Sequence, residues 1–330
     1  MRGQPEDELG VVVPVHAELG RTARGLVVLR AVTVHAEGLI VWVTARRADA
    51  PPQLADVERS WHGPADPELD PWLEVTTDDG RGRLALGHYG PVEAHGELDV
   101  QPASGPLGGG VWLSPLPREG VVRVRATWPD ADIDAATALD AAPLAARAAG
   151  VVRLLAEPDE PPASLLEAGP QPGSSWSMMV VAGAGEDVAS LRPPPMLGGT
   201  LDWHDVLACD AEAAIAAGPV QAFPGGFTVT LMGIARAPAP TGWTGYGPAA
   251  DAGVEVTARD GDGRELGATP QHGSSNRGVE ITTHWITPLP ATGDVTLECT
   301  WAERGLGPAT TMIDGDVLRA AAARAEELGP

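Results

Sequence analysis

The chain has 330 residues, with 45 acidic side chains against 22 arginines and no lysine, so its formal net charge is −23. The negative electrostatic field of such a chain repels phosphate backbones and anionic lipid, which makes nucleic acid and membrane surfaces poor partner candidates. No apolar run approaches the ~20 residues of a membrane span, and the first ten residues lack the apolar core of a secretory signal. We expect a cytoplasmic protein of two domains that binds neither nucleic acid nor membrane.

The first strand patterns lie near the N-terminus. Residues 11–15 are apolar and include Pro14, which lacks the N–H needed in a sheet ladder and therefore favours an edge strand. Residues 25–34 and 38–45 are rich in β-branched side chains and predict a hairpin of buried strands. The polar, proline-rich loop of residues 46–71 is longer than most connections within a domain, so it is a place to look for function.

A second hairpin is predicted after this loop. Residues 72–77 alternate apolar with polar side chains and are followed by Asp78-Asp79-Gly80, a strong turn signal because glycine accepts a positive φ without steric cost. Residues 83–88 would be the returning strand. The glycine-rich residues 105–110 are predicted to be a flexible loop, and so are Gly273-Ser274-Ser275.

One stretch of the chain occurs twice. VWLSPLPREGVVRVRATW at residues 111–128 aligns without a gap with HWITPLPATGDVTLECTW at residues 284–301, at a constant offset of 173 positions (285 − 112 = 301 − 128). The tryptophans 112 and 128 are predicted to fill the core between two sheets, because aromatic side chains bury the most area. The repeat indicates a duplicated module.

Each copy is followed by a predicted helix. Asp140 can cap an alanine-rich helix over residues 141–149, and Asp314 can cap a helix over residues 315–328. EVTxxDGxGR also occurs twice, at residues 74–83 and 255–264. Turn chemistry and surface ion pairs explain its recurring aspartates and arginines, with a functional polar site as the alternative.

These patterns predict a mainly β protein built from two tandem immunoglobulin-like β-sandwich modules, each closed by a short C-terminal α-helix. The expected boundaries are residues 1–155 for the first module, 156–173 for a Pro/Gly-rich linker and 174–330 for the second module. Residues 174–182 are expected to form a strand that pairs with either module.

The run W-x-x-PLP-x-x-G-x-V with its capped alanine-rich helix, together with EVTxxDGxGR, resembles tandem-repeat hypothetical proteins of high-GC actinobacteria. The resemblance covers most of both copies and is clearest over residues 281–325. It implies no known activity and no catalytic residue.

No pattern predicts a catalytic, cofactor or metal site. The eight histidines include no H-E-x-x-H, and the two cysteines, Cys209 and Cys299, form no Cys-x-x-Cys. We expect both cysteines to be reduced and buried, with a disulfide as the alternative if the protein is exported. A metal site assembled in space from His62, His88 and His95 remains an alternative.

The candidate binding residues are aromatic or lie beside aromatic residues in loops: Trp61, His62, Trp243 and Tyr246. Exposed aromatics flanked by Gly and Pro are typical anchors for a partner. We therefore expect a non-catalytic binding or scaffold protein whose partner is another protein. The alternatives are a pair of carbohydrate-binding modules and an enzyme with a site between the modules.

Overall fold

The structure is a computed structural model that describes residues 8–47, 71–85, 93–96, 98–105, 108–155, 196–236, 253–276 and 279–327. The chain is mainly β, and its sheets are antiparallel. No helix within these ranges has both the length and the apolar composition to cross a membrane. Residues 8–155 are called the first half below and residues 196–327 the second half. The expected linker, and the strand expected at residues 174–182, lie outside the described residues.

Two five-stranded sheets make up most of the first half. In spatial order, sheet I contains β2 (Val11–Arg21), β3 (Gly25–Val34), β4 (Leu39–Arg47), β9 (Gly108–Ser114) and β8 (Asp99–Gly105). Sheet II contains β11 (Ile133–Asp140), β10 (Val121–Trp128), β5 (Trp72–Thr77), β6 (Gly80–Ala85) and β7 (Glu93–Gly96). Side chains of both sheets, such as Leu29 and Val41 from sheet I and Val75 and Val124 from sheet II, form one buried cluster.

The period of two along the strands decides which side of sheet II faces this core. In β10 the even-numbered residues from Val122 to Trp128 are buried, and Arg123 and Arg125 between them are exposed. Gly82 of β6 marks a close approach, since a Cβ there would lie 2.0 Å from Cγ2 of Val100. A larger residue at this position would push β6 away from sheet I.

The second half is one continuous path of hydrogen-bonded strands. The order is β14 (Gly199–Thr200), β16 (Ala213–Phe223), β17 (Gly226–Ala235), β20 (Val279–Thr287), β19 (Glu265–Asn276), β18 (Glu255–Arg259), β21 (Val295–Trp301) and β22 (Leu306–Ile313), and β15 (Asp205–Cys209) pairs with β16. The path is continuous because β19 pairs with β18 through its first two residues and with β20 through the rest. Side chains from β17, β20 and β21, including Val229, Ile286 and Leu297, share one core.

A capped helix follows the last long strand of each half. Helix α1 (Ala141–Arg147) begins after Asp140, whose carboxylate accepts a hydrogen bond from the Ala142 N–H. Helix α2 (Gly315–Ala322) begins after Asp314, which accepts from the N–H groups of its second and third residues. The caps are those expected, but α2 ends well before residue 328.

A two-residue strand follows each helix, so the helix is not the closing element that the sequence predicted. After α1, β12 (Val152–Arg153) pairs with β1 (Glu8–Leu9). After α2, β23 (Glu326–Glu327) pairs with β13 (Met196–Leu197). These backbone pairs tie the start of each half to its end.

The two halves contact each other through equivalent residues. Leu9 of the first half packs in a buried cluster with Ala214 and Ala216 of the second. Leu197 of the second half packs in the same way with Leu26 and Val28 of the first. Equivalent positions are 188 apart (197 − 9 = 214 − 26 = 216 − 28). Reciprocal contacts of this kind define an isologous interface, so the halves are related by a pseudo-twofold axis.

Three local expectations about the fold were wrong. Trp128 lies in the core between the sheets, but Trp112 points to the opposite face of sheet I, where it clusters with Ile40 and Trp42. The stretch 105–110 supplies the end of β8 and the start of β9, and residues 273–275 lie within β19. Glycine-rich composition gave the wrong answer because strand pairing overrides local propensity.

Candidate functional site

The residues proposed from the sequence as partner contacts, namely Trp61, His62, Trp243 and Tyr246, lie outside the described residues, and so does His88. His95 is on β7 and is exposed. Within the ranges that the structure describes, no group of three or more His, Cys, Asp or Glu side chains is placed to hold a metal ion.

The solvent side of sheet II carries a concentration of arginine. Arg81 and Arg83 alternate with core-facing residues of β6, and Arg123 and Arg125 alternate with core-facing residues of β10. Strand β5 lies between β6 and β10 and presents Thr76 and Glu74 on the same side. We call this surface the arginine face.

The strand register arranges these side chains in two rows across the sheet. In the first row Arg123 is opposite Thr76, Thr76 is opposite Arg81, and Arg81 is opposite His95. This row contains no acidic residue. Because neighbouring strands lie ~4.8 Å apart, the Cα atoms of Arg81 and Arg123 are about 10 Å apart and their long side chains can reach one bound group above Thr76.

The second row is balanced in charge. Arg125 is opposite Glu74, Glu74 is opposite Arg83, and Arg83 is opposite Glu93. Arg125 also donates from Nε and Nη2 to the two carboxylate oxygens of Asp134, each at 2.7 Å. This contact raises the pKa of Arg125 and lowers the pKa of Asp134.

The arginines of the two rows therefore differ in their partners. The guanidinium of Arg83 stacks 4.5 Å from the ring centroid of Trp72, a cation–π contact. Arg81 and Arg123 form no ion pair with any described residue. A cleft of about 160 Å³ opens beside Arg81 and is lined by Glu74, Arg81, Gly82, Arg83 and His95. The first row thus offers two free guanidinium groups to an oxygen-rich anion, which arginine binds in a bidentate fashion.

The equivalent surface of the second half carries the opposite charge. The repeat aligns Arg123 with Thr296 and Arg125 with Glu298, at the offset of 173. Thr296 is opposite Arg259, and Arg259 is opposite Glu265. Glu298 is opposite Thr257. We call this surface, with exposed Glu255, Glu265 and Glu298, the acidic face.

This register corrects the second sequence match. Thr257 takes the place of Glu74 rather than Thr76, so the EVTxxDGxGR alignment is two residues out of structural register. Arg83 is in a strand, whereas Arg264 is in a turn that Asp260 closes by accepting from two backbone N–H groups. Asp260 therefore stabilises a turn, as the sequence predicted, but Arg83 and Arg264 are not structurally equivalent.

Buried polar groups occur in the second half. His284 is 7% exposed, points to the core side of β20, and neither ring nitrogen has a hydrogen-bond partner in the described part of the chain. Burial lowers its pKa from 6.5 to about 4. On the same strand, burial, with a smaller contribution from the Glu303 charge, raises the pKa of Glu280 to about 7. His284 thus belongs to the core, whereas Glu280 is only partly buried.

The cysteines are both free. Cys209 is exposed at the end of β15, and Cys299 is buried in β21. Burial, with a smaller contribution from Glu298, raises the pKa of the Cys299 thiol to about 12. The expectation that both thiols are buried is therefore right for Cys299 and wrong for Cys209.

No protein-family model and no curated protein matches the chain. Among solved structures, the conserved domain protein from Bacillus anthracis is 11% identical, with a TM-score of 0.23 over 87% of this chain and 77% of that one. A marsupial T cell receptor is 8% identical, with a TM-score of 0.19 over 85% of this chain and 94% of that one. At these values the similarity carries no information about function.

Proposed function

We propose that the protein is a non-catalytic binding protein that recognises an acidic region of another protein through the arginine face. The proposal is carried by Arg81 and Arg123, which flank Thr76 and have no acidic partner in the described part of a chain with 45 acidic residues and 22 arginines. With acids in such excess, most arginines would be expected to pair within the molecule, and cations gathered without an acid repel one another.

Arginine is the cation best suited to this role. Its guanidinium is always charged, is weakly hydrated, and presents a fork of donors that matches a carboxylate. It is enriched in protein interfaces and among the residues that dominate their binding energy. The stacking of Arg83 on Trp72 orders a third guanidinium beside the free pair, which reduces the entropy lost when a partner binds.

The architecture proposed with this function is two tandem immunoglobulin-like sandwich modules, and the proposed compartment is the cytoplasm. The reciprocal contacts between the halves and the matching order of strand, capped helix and short closing strand support two modules. The loop residues Trp61, His62, Trp243 and Tyr246 remain predicted contacts that would add to the arginine face.

The test is affinity capture from native lysate with mass spectrometry, comparing wild type with the Arg81→Glu, Arg123→Glu double variant. The matched control is Arg259→Glu. Arg259 is an exposed residue of the acidic face and is the structural equivalent of Thr76, so this variant reverses a charge outside the arginine face. We expect a stoichiometric partner that is lost in the double variant and retained in the control.

A third bait, the Trp243→Ala, Tyr246→Ala variant, tests the loop prediction separately. Loss of the partner in this variant alone would move the binding surface to the loops and refute the role of the arginine face. Equal capture by wild type and the arginine variant would also refute it.

A further inference from the structure

The two charged faces point away from each other within one molecule. The contact between the halves uses the outer side of sheet I, through Leu26 and Val28, and the equivalent side in the second half, through Ala214 and Ala216. The arginine face is the outer side of the other layer of the first half, and the acidic face is its equivalent in the second half. Both are therefore turned away from the interface, and they cannot meet within one chain.

The two faces have opposite net charge. In strand register, the arginine face carries four arginines (81, 83, 123 and 125) against three acidic residues, Glu74, Glu93 and Asp134. The acidic face carries Glu255, Glu265 and Glu298 against Arg259. Position by position, Arg81 corresponds to Glu265 and Arg125 to Glu298, so the reversal occurs at equivalent points of the same framework.

The edge strands of the two faces also differ in how far their side chains project. Met312 on β22 is 66% exposed, the largest value among the large hydrophobic side chains of the described residues. It is opposite Thr296 on the acidic face. On the arginine face the residue opposite Arg123 is Ala138, and the residue opposite Arg125 is Ala136. One face thus has an apolar projection where the other has only methyl groups.

We propose that the arginine face of one molecule binds the acidic face of a second copy. The inference rests on the proposed function and names the partner of the same surface. Carboxylates at positions 265 and 298 would approach the guanidinium groups of Arg81 and Arg123, and Met312 would cover the alanines of β11. Arginine–carboxylate pairs supply both orientation and specificity at such a contact.

The contact joins two different surfaces, so it is heterologous, and each molecule keeps one free face of each kind. Such contacts close into rings or grow into open chains. A five-stranded face of six-residue strands covers roughly 24 by 20 Å, about 500 Å², which places the contact among weak, transient interfaces. Association should therefore depend on protein concentration.

Ionic strength gives the contact a distinctive signature. At low salt the net charges of two molecules, −23 each, repel over a long range. At ~0.15 M salt the Debye length is ~8 Å, so that repulsion is screened while the contact pairs survive, and at ~1 M the pairs are screened too. We expect association to be strongest at the intermediate salt concentration.

The experiment is sedimentation velocity over a range of protein concentrations, with wild type and three further samples. The first variant is Arg81→Glu, Arg123→Glu, the second is Glu265→Arg, Glu298→Arg, and the third sample is their equimolar mixture. Wild type should form a concentration-dependent series of oligomers, and each variant alone should be monomeric. The mixture should form oligomers again, because the first variant's acidic face matches the second variant's arginine face and the reversed charges of the other two faces match each other.

All four substituted positions are exposed, and circular dichroism checks that each variant folds. A monomeric wild type at every concentration and salt, variants that associate like wild type, or a mixture that stays monomeric would each overturn the proposal. The capture experiment then separates the two ideas. If wild type is monomeric but loses a captured partner in the arginine variant, the self-association fails and the proposed function stands.

Discussion

The substitution His284→Val tests the electrostatics of the second core directly. His284 is 7% exposed, and both its ring nitrogens lack a hydrogen-bond partner within the described residues. The aligned residue of the first half is Val111, which is completely buried. Leaving buried polar groups unsatisfied costs about 1–3 kcal/mol, so valine should stabilise the protein by an amount of that order even where histidine is neutral.

The same substitution should have a larger effect in acid. The folded-state pKa of His284 is about 4 and its ordinary value is 6.5, so the unfolded chain takes up the proton first. The contribution of neutral, buried His284 to the free energy of unfolding is therefore intact above pH 6.5 and is lost as the pH falls from 6.5 towards 4. At about pH 5 the loss from this one residue is about 2 kcal/mol, which the valine variant avoids.

The measurement is urea unfolding of both proteins at about pH 8 and about pH 5, followed by tryptophan fluorescence. The free-energy gain of His284→Val should be about 2 kcal/mol larger at the lower pH. His95→Val is the control, because it removes an exposed imidazole of the first half. An equal gain at the two pH values would show that the folded-state pKa of His284 is not depressed and would refute the reasoning.

Three other measurements test separate parts of the structure. Glu280→Gln should stabilise the protein above about pH 7 and have little effect near 4.5, because burial raises the pKa of this carboxyl to about 7 and the stability that its proton supports is lost as the pH rises; a pH-independent effect in urea unfolding would contradict this. Iodoacetamide should modify the exposed Cys209 and spare the buried Cys299 in the native protein, and mass spectrometry should find both modified only after denaturation. Leu197→Ala should lower the free energy of unfolding by about 2–4 kcal/mol, because it removes a buried side chain from the contact between the halves. Val152→Ala, at a position 39% exposed, should lower it far less. Similar losses for the two variants in urea unfolding would show that the halves do not stabilise each other.

Local pattern was enough to find individual strands. β3 and β5 have the limits expected from the sequence, Gly25–Val34 and Trp72–Thr77, because β-branched runs and strict alternation specify a strand without reference to the rest of the chain. The helix caps at Asp140 and Asp314 were equally local. Local pattern failed where the secondary structure of a segment depends on pairing with a strand that is distant in sequence. Residues 326–327 continue an alanine-rich helical pattern, yet they pair with β13.

The arginine face could not be found in this way. RGR at 81–83 and RVR at 123–125 are visible in the sequence, and each alternation indicates that two arginines share one side of a strand. What brings them together is the pairing of β5 with both β6 and β10, and a strand's partner is not written in its own residues. The sequence match at EVTxxDGxGR was misleading because it placed the second copy two residues out of register.

Opposite faces can coexist in one molecule because the two halves belong to one chain and differ in sequence. A symmetric dimer of identical chains must carry the same exterior face twice, so a cationic face would be matched by another cationic face and could not bind it. Joining the two copies in one chain removes that constraint. The contact between the halves keeps its equivalent leucines, Leu9 and Leu197, since each is needed to bury the other half's sheet. The outer faces carry no such requirement, and there Arg81 is matched by Glu265 and Arg125 by Glu298. The chain thus retains the symmetry where its halves touch and loses it where another molecule would dock.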